Sequence, residues 1–192
     1  MTPTPASRFA TGAIVAAVPL LLLWWVTADG IAMTLRPAVS QLARLLMPIG
    51  AVMPDGHDGW RVETTLLVTE GFEATTYDIT ARVLRRLSLS WPLLLALLLA
   101  PPRPPRLAAR LAVALAILAV LFTAGACVQV SRDLLKYARV VWPAYGEVVF
   151  FVGKLGLYAF GYFQPFVAPP LVWLALNPRA RAIFLWAPVR GD

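Results

Sequence analysis

Residues 111–131 read LAVALAILAVLFTAGACVQVS, 21 consecutive positions without a charge. An α-helix rises about 1.5 Å per residue, so this run covers about 30 Å, the thickness of a bilayer's hydrocarbon core. Working outward, three more segments have the same character. Residues 9–28 hold 20 uncharged positions, with Pro19 inside and Trp24-Trp25 near the far end, where indole rings favour the headgroup interface. Val26-Thr27-Ala28 resembles a small-residue cleavage site, but the long run and bulky Trp pair favour a retained anchor over a signal peptide. Residues 82–102 are uncharged only from Leu87 and span if the stems of Arg82, Arg85 and Arg86 snorkel to the interface. Residues 150–177 carry Lys154 near one end. They also hold Pro165, Pro169 and Pro170, which remove backbone donors and are expected to kink or break the helix. The expected fold is an all-α integral membrane protein with four transmembrane helices.

Composition agrees. Of 192 residues, 59% are hydrophobic and 14% charged, with a mean hydropathy of +0.71. An average soluble chain is about 45–50% apolar and about 25% charged. A domain this small has no interior able to hide the excess. The net charge of +7 comes from 17 basic residues, all Arg except Lys136 and Lys154, scattered between apolar segments. Nucleic-acid binding needs them gathered on one face, so none is expected. Cys127 has no second cysteine to pair with, and one Cys with one His leaves no metal site in prospect.

The Pro/Arg link at residues 103–109 is short and purely basic, and the tail carries Arg179, Arg181 and Arg190. By the positive-inside rule both belong in the cytoplasm, as do both termini. Residues 29–81 and 132–149 then face the outside, which the resemblance given below makes the periplasm. In the first, Leu35, Val39, Leu42 and Leu46 recur at helical spacing between Arg36 and Met47, predicting a helix on the membrane surface. Residues 53–59 are turn chemistry, and Trp60–Thr69 with Phe72–Ile79 predict a small β-hairpin around Glu70-Gly71. In the second, Leu134, Tyr137, Ala138 and Val141 make an apolar stripe beside Arg132, Lys136 and Arg139.

Few residues suggest chemistry. Cys127 and His57 fall on the same side of the membrane, and Arg132 lies one helical turn from Cys127. That is the sketch of a membrane cysteine peptidase or transpeptidase. However, Cys127 ends the small-residue stretch Thr123-Ala124-Gly125-Ala126, which suits close helix packing. His57 sits in an Asp/Gly turn, a poor place to hold a base. Lys154 and Gln164 are polar groups in an apolar helix, Lys154 near enough to its end to snorkel. Gly153, Gly156 and Gly161 with Tyr158 and Tyr162 form a small-and-aromatic face fit for helix docking. No phosphate loop, dinucleotide fingerprint or intramembrane carboxylate pair occurs, which leaves a transporter without its usual apparatus and no cofactor expected.

Three elements carry a family resemblance. They are Trp91-Pro92-Leu93 opening a Leu-rich run before the Pro/Arg link, Asp133-Leu134-Leu135-Lys136, and Ala168-Pro169-Pro170 leading into Trp173-Leu174-Ala175-Leu176-Asn177. With these the chain resembles the exosortase H-associated membrane proteins. The resemblance implies a non-catalytic accessory in the inner membrane of a Gram-negative bacterium. It would dock beside an exosortase that sorts and processes exported substrates bearing a C-terminal signal, and no catalytic residue is carried over. The partners implied are membrane lipid, the exosortase and its substrate protein. The expected docking residues are Arg132, Asp133, Lys136, Tyr137, Arg139, Lys154, Tyr162 and Gln164 on the fourth span and the loop before it.

Overall fold

The computed structural model describes residues 5–65, 76–101, 103–137 and 144–184. Three helices are long and apolar enough to cross a membrane: α1 (Pro5–Leu46), α4 (Leu107–Ser131) and α5 (Gly146–Leu176). The run expected to form a further span, residues 82–102, is divided. Helix α2 (Ala81–Ser88) and helix α3 (Ser90–Leu99) are separated at Leu89, and α3 alone reaches only about 15 Å. A short helix, α6 (Pro178–Phe184), follows α5.

Helix α1 has 42 residues, about 63 Å, roughly twice the hydrocarbon thickness. The sequence reading ended it at Ala28 and placed a separate surface helix at residues 36–47. The structure joins them. Asp29 does not break the helix because Arg85 takes its carboxylate in a two-pronged bond, with Nε 2.8 Å from Oδ1. Thr34 Oγ1 donates back to the Gly30 carbonyl at 2.8 Å, satisfying its own hydroxyl.

The chain forms two compact units, and α1, α4 and α5 each contribute a part to both. One comprises residues 27–88 and 119–165. Its core gathers Val39, Trp60, Val62, Ile79, Leu84, Phe122 and Leu134. Val39 and Ala43 are therefore covered by protein, not laid on lipid as the surface-helix reading expected, although Leu45 and Leu46 stay exposed. A three-stranded antiparallel sheet runs in the order β1 (Ile49–Pro54), β2 (Trp60–Thr64), β3 (Tyr77–Ile79). Trp60 and Val62 point inward while Arg61 stays out, reaching Asp55 and Asp78. Trp60 meets Phe122 edge-on, with centroids 6.2 Å apart.

The turn between β1 and β2 closes with Asp55 N–H donating to the Gly59 carbonyl at 2.9 Å, and Asp58 takes the left-handed conformation. Gly59 is obligatory here, since a Cβ would sit 2.5 Å from the Ile79 carbonyl oxygen. The expected hairpin is thus only part of a sheet. Strand β1 was not anticipated, because a register shift between Ile49 and Ala51 spoils the alternation that marks a strand. The Glu70-Gly71 turn lies outside the described residues.

The other unit comprises residues 1–26, 89–118 and 166–192. Leu94, Leu98, Ala114, Leu118, Trp173 and Ala180 form its core. Phe9 stacks on Trp173 with centroids 4.9 Å apart. Gly12 admits Pro101, whose Cδ would lie 2.6 Å from a Cβ there. Buried Asn177 caps α6, its Oδ1 accepting from Ala180 N–H at 3.2 Å. The Trp-Leu-Ala-Leu-Asn element is therefore a corner, with Trp173 in the core and Asn177 turning the chain.

Candidate functional site

Helix α5 was expected to kink or break at its prolines. It stays helical throughout, with one wide π-helical turn at Ala159–Phe163. Pro165 offers no N–H to the Gly161 carbonyl four residues back, and the looser turn forms just where that bond is missing. Its small residues are used within the chain. A Cβ at Gly153 would strike Leu135, one at Gly156 would touch Val128, and one at Gly161 would meet Gln129. The opposite side of α5 stays bare: Val148, Phe151, Val152, Leu155, Phe163 and Phe166 are all more than half exposed.

At the C-terminal end of α4 three of the last four carbonyls have partners. Ser131 Oγ donates to Val128, Arg132 N–H to Gln129, and the Tyr77 hydroxyl to Val130. Burial, then the nearby Asp133 charge, push the Tyr77 phenol up, so it remains a donor across the physiological range. Beyond that end, the expected amphipathic stripe turns inward. A 3₁₀ turn at Leu134–Tyr137 buries Leu134 and Leu135 in the chain's own core. Asp133 accepts from Lys136 Nζ at 2.8 Å and from Arg132 Nη2 at 3.2 Å. Burial is the largest single influence on Asp133 and raises its pKa, but Lys136 and Arg132 together hold it below the usual carboxylate value.

Between α2, the end of α4 and the π turn of α5 lies a cavity of about 320 Å³. Arg86, Arg132 and Lys154 line it, with Gln129, Tyr158 and Tyr162, against a wall of Val83, Leu87 and Leu157. The Arg86 guanidinium stands 5.2 Å from the centre of the Tyr162 ring, and Lys154 Nζ stands 4.4 Å from that of Phe150. Tyr158 and Tyr162 stack on each other at 6.1 Å. No carboxylate is among the lining residues.

Of the sequence-predicted docking residues, this cavity unites Arg132, Lys154 and Tyr162. Asp133 and Lys136 form the adjoining ion pair. Gln164 is buried in α5. Arg139 and the side chain of Tyr137 lie outside the described residues. Sequence reasoning missed Arg86, taken for a snorkelling cation, and Gln129, whose signal was being the one amide in the run 111–131. Cys127 is buried, its thiol donating weakly to the Val39 carbonyl at 3.8 Å, whereas His57 is exposed in its turn. Among the described residues no cluster of His, Cys, Asp and Glu could hold a metal.

Three long apolar helices, one of them with a bare apolar face beside a basic, aromatic recess, define a membrane protein. Residues 3–180 match the exosortase H-associated membrane protein family, and the chain belongs to it. No curated protein and no solved structure matches it.

Proposed function

We propose that the chain is a non-catalytic, multi-pass protein of the bacterial inner membrane that docks beside an exosortase and assists its sorting and processing of exported proteins. In this reading the run 82–102, which holds α2 and α3, makes a fourth crossing. The sheet is periplasmic; the Pro/Arg link, the stretch before the first crossing and the stretch after the last are cytoplasmic. The bare face of α5 carries the reading. Its small residues are consumed by intramolecular packing, leaving Val152, Phe163 and Phe166 for a partner helix. Buried Cys127 and exposed His57 favour an accessory over a cysteine peptidase.

Photocrosslinkers at Val152 and Phe166 in native membranes are expected to capture the exosortase, and lipid-only adducts at both positions would sink the docking reading. Cys127→Ala with His57→Ala is expected to leave substrate processing intact; loss of processing at normal expression would revive the enzyme. Reporter fusions at Gly59 and Arg106 are expected to read outside and inside, and the reverse pattern inverts the topology.

A further inference from the structure

The cavity beside the π turn is left unused by that docking role, and its charge balance calls for an occupant. Arg86, Arg132 and Lys154 converge on it, and no carboxylate lines it. Arg132 is partly neutralised, because Asp133 takes it at 3.2 Å, but Asp133 is shared with Lys136. Among the described residues Arg86 and Lys154 rest on aromatic faces and make no ion pair with a carboxylate. Like charges held around one recess repel one another unless an anion enters.

The surroundings narrow the kind of anion. Lys154 stands about two turns into the apolar helix α5, so in the proposed topology the recess opens near the level of the bilayer interface. Tyr158 and Tyr162 at its rim are well exposed, and tyrosine is favoured at the headgroup level of a membrane. Next to the rim α5 presents Phe151 and Leu155, apolar and exposed. A cationic hollow beside an apolar strip complements a charged headgroup attached to acyl chains. A freely soluble anion would make no use of the strip. The volume suits a small headgroup, near the lower end of the roughly 300–1,000 Å³ typical of ligand sites.

We propose that this cavity binds the phosphate of an anionic phospholipid, held by Arg86, Arg132 and Lys154, with the acyl chains lying along Phe151 and Leu155, beside the strip that Val152, Phe163 and Phe166 offer to a partner helix. Helix α5 then meets its surroundings through a retained lipid as well as through bare side chains. The site is a property of the chain alone and stands independently of the exosortase.

The test is native mass spectrometry of the purified full chain in detergent, with phosphatidylglycerol and phosphatidylcholine supplied together. Phosphatidylglycerol adducts are expected to survive while phosphatidylcholine is lost. The Arg86→Gln/Arg132→Gln/Lys154→Gln variant is expected to bind phosphatidylglycerol about a hundredfold more weakly, about fivefold for each charge removed. The exposed Lys154→Gln alone, which disturbs no buried group, gives the single fivefold step should the triple variant melt early. Lys154→Arg is expected to retain the lipid. Equal retention of both lipids, or undiminished phosphatidylglycerol on the variants, overturns the proposal. So does displacement by inorganic phosphate at concentrations matching the lipid's, which would make the ligand a free anion, or preferential capture of an acidic peptide.

Discussion

The two units of this chain are held together by different means. In the unit around Trp60, an aromatic and β-branched core is ringed by charge pairs, Asp29 with Arg85 and Arg61 with Asp55 and Asp78. In the unit around Trp173, the core is Leu and Ala with a stacked Phe9, and its polar contacts include the Asn177 cap and Arg179 donating to the Arg103 carbonyl at 3.4 Å. In the proposed topology, with the sheet outside and the other unit within the bilayer, the difference follows the solvent. Where water is the alternative, burying Trp60 gains the full hydrophobic transfer term. Where lipid is the alternative, close van der Waals fit and satisfied backbone groups must do the holding.

Substitutions can break or sharpen that contrast. The largest effect is expected from Trp60→Ala, which empties the centre of the sheet-bearing core and should cost about 3–5 kcal/mol in reversible unfolding. Leu98→Ala, an equally buried site in the other unit, is expected to cost about 1–2 kcal/mol, since the cavity term remains but the transfer-to-water term does not. Equal losses at the two sites would show that both cores answer to water. Arg85→Gln should cost about 1 kcal/mol, more than an exposed pair because the clamp on Asp29 is two-pronged and half-buried. A double-mutant cycle with Asp29→Asn isolates the coupling.

The smallest effect is a pH dependence at Asp133. Its folded pKa is depressed, so its contribution is fully present above the unfolded carboxylate value of about 3.9 and is lost as pH falls through the lower folded value. The melting midpoints of the parent and Asp133→Asn should therefore differ above about pH 5 and converge in acid. A constant gap across the acid range would remove Asp133 from the linkage.

The membrane class, the long runs of α1, α4 and α5, the turn before Trp60 and strand β2 were all legible from local pattern, although Met53 and Pro54, read as turn, belong to β1. Uncharged length, turn residues and alternation are properties a short window already contains. The continuity of α1 was not, because the charge that appeared to end it at Asp29 is neutralised by Arg85, 56 residues away. Strand β1 was hidden by its register shift and exists through pairing with β2 and the bond from Val52 N–H to Ser40 Oγ. The apolar stripe after α4 was visible, but whether Leu134 met lipid or core depended on what packed over it. Three members of the cationic recess stood out singly as Arg132, Lys154 and Tyr162. Their meeting with Arg86 and Gln129 came only from the tertiary structure, since residues from α2, α4 and α5 share a cavity through packing and no local spacing encodes that.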